Sequence, residues 1–205
     1  MYYTDLQYFP NIIYLLALYK SKTPLFITSE LFVKSSYRNR MDIPSSTGVL
    51  TLSIPIKGGR NVKLPYGEVE IDFTSDWQQK HFRTINSVFG SSPYFQFYRN
   101  DLEELYSQKE ERLFDWNLKC LDIFLRLSKM SNMIQFQVLG QGAELDHFSP
   151  EKGIFSTDNY FQNPRYEQVF SDKIGFKPNM SCLDLLMNLG PESGKYIHDL
   201  VNKLN

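Results

Sequence analysis

The apolar positions of residues 1–30 change from a strand-like to a helix-like pattern and back again. Residues 2–9 are rich in aromatic side chains and end at Pro10, which is typical of a strand that leads into a turn. Apolar residues then recur at helical spacing from 12 to 19, and Leu25–Thr28 has the composition of a short buried strand. This order predicts a βαβ unit with parallel strands and a right-handed crossover.

The middle of the chain alternates between apolar and polar residues in two places. Val49–Ile54 alternates well enough for a strand, and a turn at Lys57–Arg60 follows it. Glu68–Phe73 alternates acidic with apolar residues, which predicts a half-exposed strand. Together with the βαβ unit, these segments predict an α/β fold with a small mixed sheet.

From Asp76 onward the apolar period becomes helical, so the C-terminal half is expected to be mainly helical. Asp76 suits the N-cap of a helix that carries Trp77 and His81 on its apolar stripe, and Gly90 closes this helix. The other predicted elements are helices at Pro93–Tyr106, Glu110–Lys129, Ser181–Leu189 and Glu192–Leu204, a capping box from Ser107 to Glu110, and a short strand within Met130–Leu139.

The whole chain, residues 1–205, is predicted to be one domain, because its length suffices for one sizeable core and is short for two. Residues 140–165 are the loosest segment, rich in Gly, Pro, Asp and Asn with aromatic side chains between them. A long loop of this composition is more typical of a lid or a docking loop than of a linker.

Charge and aromatic content narrow the function. The formal net charge of −1 argues against nucleic acid as a partner, because proteins that bind nucleic acid usually carry a basic surface. The aromatic share of 15% is high, and such side chains line a pocket or a partner surface, or else fill an aromatic-rich core. Residues 31–65 carry six basic side chains and one acid, Asp42, so this segment is the first candidate for an anion site.

Several motifs are missing from the sequence, and their absence narrows the expected function. Cys120 and Cys182 are far apart and have no zinc or disulfide spacing, which predicts reduced thiols in a cytoplasmic protein. The apolar run from 12 to 19 is too short to span a bilayer, and the N-terminus lacks the basic start of a signal peptide. Motifs for a dinucleotide, a P-loop or a structural zinc are missing, so no cofactor and no metal are expected.

Tyr37, Arg38, Asn39 and Arg40 form the densest polar cluster of the basic segment. If this stretch is extended, Arg38 and Arg40 point to one face, because side chains two apart on a strand are aligned. Two guanidinium groups on one face can hold a phosphate or a carboxylate with bidentate hydrogen bonds. The alternative is a surface strand whose arginines pair with acids such as Glu30.

His81 is the first candidate for a general base. Trp77 lies one helical turn before it, so the indole can pack on the imidazole and lower its pKa, and a neutral imidazole suits the deprotonation of a hydroxyl or an amine. A histidine on an apolar stripe is nevertheless more often a core residue than a catalyst. Glu30 ends a predicted strand, where its carboxylate can orient a histidine or pair with Arg38 or Arg40.

Several short motifs occur in a fixed order along nearly the whole chain. They are Gln7-Tyr8-Phe9-Pro10, Tyr37-Arg38-Asn39-Arg40, Leu52-Ser53-Ile54-Pro55-Ile56, Glu68-Val69-Glu70-Ile71-Asp72, Trp77-Gln78-Gln79-Lys80-His81, Ser92-Pro93-Tyr94-Phe95, Tyr166-Glu167-Gln168-Val169-Phe170 and Pro178-Asn179-Met180-Ser181-Cys182-Leu183-Asp184-Leu185-Leu186. This combination resembles the WbqC-like protein family, in particular its branch in Bacteroidetes-type bacteria.

Members of this family often lie in gene clusters for O-antigen and other surface polysaccharides, and transfer of glycine or another amino-acyl group to sugars has been proposed for them. The resemblance implies a transferase for a nucleotide-linked or lipid-linked sugar, with a small anionic substrate such as a nucleotide-sugar or an acyl donor. It adds Tyr8 to the substrate site. This chain departs from the family's usual His-Gln-Pro opening, because Leu6 and Gln7 precede Tyr8, so no N-terminal catalytic histidine is expected.

Two hypotheses follow. In the first, a transferase holds its anion with Arg38 and Arg40, hydrogen-bonds the donor with Asn39 and uses His81 as the base. In the second, the protein is a non-catalytic binding or scaffold protein of the same pathway, with an exposed aromatic patch in residues 148–161. A cleft lined by both arginines and His81 would favour the enzyme, whereas a His81 sealed in the core would favour the scaffold. A homodimer is compatible with either.

Overall fold

The computed structural model confirms the α/β fold with a mainly helical C-terminal half. The fold opens with the predicted βαβ unit: strand β1 (Tyr2–Thr4), helix α1 (Ile12–Ser21) and strand β2 (Leu25–Ile27). Strands β1 and β2 pair in parallel, with Tyr3 opposite Leu25. The residues that the structure describes are 2–21, 23–59, 62–140, 146–147 and 165–203.

Two further strands, β5 (Gln137–Leu139) and β6 (Asp146–His147), complete a parallel sheet with the order β5-β2-β1-β6. The chain builds outward from β1 to β2 and β5, and it then returns to the other side of β1 at β6. The strand order therefore reverses between β1 and β6. Ligands of open α/β sheets bind at the carboxyl ends of the strands beside such a reversal. Asp5 follows β1 directly and lies at this edge.

A separate hairpin of two antiparallel strands, β3 (Arg40–Ser45) and β4 (Gly48–Ser53), lies between β2 and β5 in sequence order. β4 confirms the strand predicted at Val49–Ile54. The strand predicted at Glu68–Phe73 is wrong: this stretch begins in a short 3₁₀ turn, and Glu70 and Ile71 make only isolated bridges, to Arg112 and Ile56. The alternation of acidic and apolar residues is present in this stretch, but no continuous strand pairs with it.

The helical half agrees with the predicted pattern to within a few residues at each end. No helix of the described residues is long and apolar enough to cross a membrane. The helices are α2 (Trp77–Phe89), α3 (Phe95–Ser107), α4 (Leu113–Leu127), the single turn α5 (Ser171–Ile174), α6 (Cys182–Leu189) and α7 (Ser193–Lys203).

The capping box predicted from Ser107 to Glu110 is wrong. Ser107 is the last residue of α3, and its hydroxyl donates to the Glu104 carbonyl oxygen at 2.7 Å. Helix α4 begins only at Leu113, so the sequence spacing that suggested a box falls in the connection between two helices.

The cap predicted at Ser181 is confirmed, and the same residue connects the start of α6 to the segment before α1. Its hydroxyl oxygen accepts from the Leu183 N–H at the start of α6, and its O–H donates to the Phe9 carbonyl at 2.9 Å. The Ser181 N–H donates to the Asp42 carbonyl at 2.8 Å, and the Cys182 N–H to the Pro10 carbonyl at 2.7 Å. The start of α6 is therefore bonded to the β1–α1 connection and to the hairpin.

The aromatic surplus lies largely in the core. The rings of Trp77 and Trp116 meet edge to face with their centroids 5.2 Å apart, and Tyr8 and Tyr106 pack beside them. All four side chains are buried, and the free thiols of Cys120 and Cys182 are buried as well. For the part of the chain that the structure describes, these contacts support the aromatic-rich core; the exposed aromatic patch predicted in residues 148–161 lies outside the described residues.

Gly190, which ends α6, has a backbone that no other residue adopts without strain, with φ at +55°. A Cβ atom there would stand 2.3 Å from Cδ1 of Tyr94. We expect Gly190→Ala to lower the free energy of unfolding by about 2–4 kcal/mol, because strain and overpacking add. Gly175→Ala is the control: its φ of +69° and ψ of 168° also favour glycine, but nothing lies within 4 Å of the added atom, so strain of about 1–3 kcal/mol is expected without the overpacking. Urea denaturation measures both, and equal losses would contradict the overpacking.

Candidate functional site

Three charged side chains meet at the carboxyl edge of the parallel sheet. Asp5 follows β1, Glu30 lies three residues after β2, and Arg38 reaches both from the turn before β3. Nη2 of Arg38 donates to Oδ1 of Asp5 at 2.6 Å and to Oε2 of Glu30. Nη1 of Arg38 donates to the Leu31 carbonyl at 2.7 Å. The two carboxylates are therefore fixed on a single guanidinium nitrogen.

The burial of this acidic triad, Asp5, Arg38 and Glu30, is asymmetric. The Arg38 side chain is 1% exposed, whereas the carboxylate side chains of Asp5 and Glu30 are 25% and 30% exposed. Burial disfavours the charge of Arg38, but the hydrogen bond and charge of Asp5, and then the charge of Glu30, outweigh it and raise the Arg38 pKa. The face offered to solvent is therefore carboxylate, with a buried cation behind it.

Arg38 and Arg40 are not aligned on one strand as the sequence suggested. Arg38 lies in a turn and points inward, where the acids and the ring of Tyr66, 4.9 Å from the guanidinium carbon, give the buried charge its partners. The pairing with Glu30, which was the alternative to an anion clamp, is what the structure shows for Arg38.

Arg40 is placed differently. It is half-buried at the first residue of β3, and its Nη2 donates to the Ser35 hydroxyl at 3.2 Å. Within the described part of the chain, no carboxylate pairs with Arg40, so it keeps an uncompensated positive charge. Asn39 donates from its side-chain amide to the Ile54 carbonyl at 3.0 Å, and the Tyr37 hydroxyl donates to Oδ2 of Asp42 at 3.2 Å.

A buried amide on α4 braces the triad from below. Nδ2 of Asn117 donates to the Arg38 carbonyl at 2.6 Å and to the Tyr66 hydroxyl at 2.5 Å, and Tyr66 in turn donates to the Leu6 carbonyl at 2.7 Å. Three buried atoms nearby, Oε1 of Gln7, Nε of Arg38 and Oδ1 of Asn117, have no hydrogen-bond partner among the described residues.

His81 lies in the core. It is 6% exposed, and its Nδ1 is 3.0 Å from the hydroxyl of Tyr8, which also bonds the hydroxyl of Tyr106. Burial lowers the pKa of His81 to about 4, although a hydrogen bond with the Ser53 backbone opposes this shift. Trp77 packs edge to face on the imidazole at 5.2 Å, as predicted. The imidazole is neutral at neutral pH and is shielded from any substrate in solvent.

The structure thus brings the predicted site residues to neighbouring positions in two layers. Tyr8, which is fully buried, donates from its backbone N–H to the Tyr37 carbonyl at 2.9 Å, so the cluster at 37–40 rests directly on the segment after β1. Tyr8 and His81 form the inner layer. The side chains at the surface are those of Tyr37, Asn39, Arg40 and Glu30.

Asp5 is the site residue that the sequence did not reveal. The aromatic run suggested a strand through residue 9, whereas β1 ends at Thr4, so Asp5 was placed inside a strand instead of at its carboxyl end. The signal that could have found it is the rule that polar residues directly after parallel strands face the ligand side of the sheet.

Neither a metal site nor the loop predicted at 140–165 contributes to the site as described. No group of three or more His, Cys, Asp or Glu side chains within the described ranges could hold a metal ion. Of the loop predicted at 140–165, only Gly140, the backbone of β6 and Arg165 belong to the described residues, so the lid lies outside them.

Comparisons with known proteins give a family and a distant relative. The chain is 25% identical over 199 residues to "Uncharacterized protein Rv1507c" of Mycobacterium tuberculosis (strain ATCC 25618 / H37Rv), and the match covers 81% of this chain and 83% of that protein. No solved structure gives a significant match. The model of the WbqC-like protein family matches residues 7–147, a span that holds Glu30, Arg38 and Arg40 and begins just after Asp5. Because this span exceeds half of the sequence, the chain belongs to the WbqC-like protein family.

Proposed function

We propose that this protein is a cytoplasmic transferase of bacterial surface-polysaccharide assembly, and that the acidic triad binds its sugar acceptor. The observation that carries the proposal is the pair of half-exposed carboxylates, Asp5 and Glu30, held on a buried Arg38 beside the strand-order reversal. The WbqC-like membership supports the pathway.

Carboxylates in this arrangement recognise hydroxyl and amino groups. An ionised carboxylate accepts hydrogen bonds only, and those from a sugar hydroxyl or a protonated amine are charge-assisted. Arg38 occupies one oxygen of each carboxylate, so each side chain keeps further lone pairs for a ligand. The triad carries two negative charges and one positive charge, and its exposed part therefore favours a polyol or an amino sugar over an anion.

The same carboxylates can serve as the base of an amino-acyl transfer, such as transfer of glycine. The acceptor oxygen or nitrogen forms a bond with the carbonyl carbon of the acyl donor, while its proton passes to Asp5 or Glu30. The bond from that carbon to the leaving group breaks, and the leaving group departs with the electron pair. The carboxylate then returns the proton to the leaving group or to water. His81 has no such access, and it positions Tyr8 below the site.

Arg40 supplies the contact for the anionic part of the substrate. Its charge has no partner among the described residues, and its planar fork can hold two oxygens of a diphosphate or a carboxylate. Tyr37 and Asn39, which flank the buried Arg38, are half-exposed next to it. In this proposal the nucleotide or acyl donor lies on Arg40, and the sugar lies on Asp5 and Glu30.

A second candidate function is binding without catalysis. The specific observation in its favour is the burial of His81, which is the arrangement expected of the scaffold protein and leaves the site without an accessible imidazole. In this case the triad and Arg40 would hold the nucleotide-linked or lipid-linked sugar for another enzyme of the same pathway.

The first test is calorimetry with uridine-diphosphate sugars, with and without an amino group on the sugar. We expect Asp5→Asn and Glu30→Gln each to weaken binding by about tenfold to a hundredfold, because each removes a charge-assisted hydrogen bond to the sugar. Arg40→Met is expected to weaken binding of the uridine-diphosphate sugars but not binding of the same sugars without the nucleotide, because Arg40 holds the diphosphate.

The control for these variants is Glu70→Gln. Glu70 is exposed to a similar degree and also forms an ion pair, at 2.6 Å with Lys57, but it lies outside the site. Unchanged affinity in Asp5→Asn and Glu30→Gln, or an equal loss in Glu70→Gln, would contradict the proposed site. Incubation of the wild-type protein with a uridine-diphosphate amino sugar and a glycyl thioester then separates the two functions. A mass gain of one glycyl group on the sugar supports the transferase, and binding without it supports the second candidate.

A further inference from the structure

Three aliphatic side chains beside the site are exposed to an unusual degree. Leu31 is 62% exposed, Val33 is 53% exposed and Leu64 is 42% exposed. They lie on two segments that run side by side: the Phe32 N–H donates to the Leu64 carbonyl at 2.9 Å, and Leu31 forms a bridge with Pro65. We call Leu31, Val33 and Leu64 the aliphatic ridge.

The ridge is held firmly from beneath. Phe32, between two of its members, is only 7% exposed, and its ring packs near that of Tyr66 with the centroids 6.2 Å apart. The backbone on either side is also fixed, because the Glu30 carbonyl accepts from the Tyr66 N–H at 2.7 Å. The exposed side chains therefore stand on a braced ribbon, and their exposure is part of the fold.

Basic side chains flank the ridge. Lys34 follows Val33 and Lys63 precedes Leu64, and both are exposed. The neighbouring acid, Glu30, is compensated by Arg38. Arg38 is shared with Asp5, however, so Lys34, Lys63 and Arg38 together exceed the two carboxylates by one positive charge. The surface around the ridge therefore has a small positive balance, although the whole chain has a formal net charge of −1.

We propose that the aliphatic ridge and its two lysines dock on the surface of an anionic phospholipid bilayer. Exposed aliphatic side chains can enter the boundary between headgroups and acyl chains, while lysines beside them remain at the headgroups and are attracted by anionic lipid. A protein partner is a poorer match, because protein interfaces are enriched in aromatic residues and Arg and depleted in Lys. The proposed contact is peripheral. No helix of the described residues is long and apolar enough to span a membrane.

Docking through the ridge would orient the candidate site. The Leu31 carbonyl accepts from Arg38, so the first residue of the ridge is bonded directly to the acidic triad. If the proposed function holds, the carboxylates of Asp5 and Glu30 face the headgroup layer, where the sugar of a lipid-linked acceptor would stand. The docking itself does not depend on that function.

The test is sedimentation of the full chain with vesicles. Wild-type protein is expected to bind vesicles of equal parts phosphatidylglycerol and phosphatidylcholine, and to bind pure phosphatidylcholine vesicles about tenfold or more weakly, because the lysines lose their attraction. The variant Leu31→Ser/Val33→Ser/Leu64→Ser should lose binding to both. Lys34→Glu/Lys63→Glu should lose binding to the anionic vesicles and should lose the dependence on salt.

The matched control is Val49→Ser/Leu50→Ser on the hairpin, where side chains of similar character are 49% and 37% exposed. This variant should bind as the wild type does. The proposal is overturned if wild-type protein fails to sediment with anionic vesicles, if the hairpin variant loses binding as the ridge variant does, or if reversal of both lysine charges leaves binding unchanged. Because these measurements use vesicles without any sugar, they fail or succeed separately from the calorimetry of the acidic triad.

Discussion

Replacement of Arg38 by methionine is expected to lower the free energy of unfolding by about 3–5 kcal/mol, because removal of one partner leaves buried or half-buried charges uncompensated. Arg38 is 1% exposed and serves both Asp5 and Glu30. The loss should lie toward the lower end of this range, since the two carboxylates are partly solvated. Arg38→Met also removes the hydrogen bond to the Leu31 carbonyl. Urea denaturation at neutral pH measures the change.

Two comparisons make the Arg38 result specific. Arg40→Met removes a half-buried arginine that has no ion pair among the described residues, and it should cost less than about 1 kcal/mol. Addition of Asp5→Asn and Glu30→Gln to the Arg38→Met background should restore part of the lost stability, because the uncompensated charges are then gone. A triple variant no more stable than Arg38→Met alone would refute this account.

The second large effect is a loss of stability on acidification that depends on His81. Its pKa is about 4 in the folded protein and 6.5 in the unfolded chain, so between these values the unfolded chain binds more protons and stability falls as pH falls. The full difference is worth about 3 kcal/mol. His81→Gln keeps polar atoms that can meet Tyr8 and the Ser53 backbone but does not titrate. Wild-type stability should therefore fall toward that of His81→Gln, or below it, as pH drops from 6.5 to 4.

Asp184 provides a control of opposite sign. Burial raises the pKa of Asp184 from 3.8 to about 6, although hydrogen bonds from Tyr166, Gln168 and Asn188 oppose the shift. Its folded form binds the proton more tightly, so its contribution to stability falls as pH rises through this range. Relative to the wild type, Asp184→Asn and His81→Gln should thus change the slope of stability against pH in opposite directions. Slopes of the same sign would show that burial is not the cause for one of the two groups.

The parts of the fold that sequence patterns predicted are those whose cause is local. The βαβ unit follows from Pro10, the helical spacing after it and the short apolar run at Leu25–Thr28. Helix α2 follows from periodicity in the same way, and Asp76 and Gly90 stand at its ends as predicted, but the Asp76 side chain makes no capping hydrogen bond. The predicted strand at Glu68–Phe73 shows the limit, because alternation cannot say whether a partner strand is present.

The candidate site was predicted in part, and its errors share one physical origin. Of the cluster at residues 37–40, Arg38 contacts Asp5 and Glu30 after the carboxyl ends of β1 and β2. The inward turn of Arg38 could not be foreseen, because its partner Asp5 is far away in sequence and was hidden in an overlong predicted strand. The spacing of residues along the sequence does not show whether a charged side chain is buried when the charges that compensate it come from other elements. The same holds for His81, whose seal is made by Tyr8 and Tyr106 from distant segments.

The bonds from the start of α6 to the β1–α1 connection have a consequence for how the chain is made. The N–H of Ile12 at the beginning of α1 donates to the Met180 carbonyl, and the carbonyls of Phe9 and Pro10 accept from residues 181 and 182. During synthesis, the N-terminal unit leaves the ribosome long before these partners exist. The segment between β1 and α1, which begins at Asp5, therefore completes these hydrogen bonds only after residues 180–182 have been synthesised.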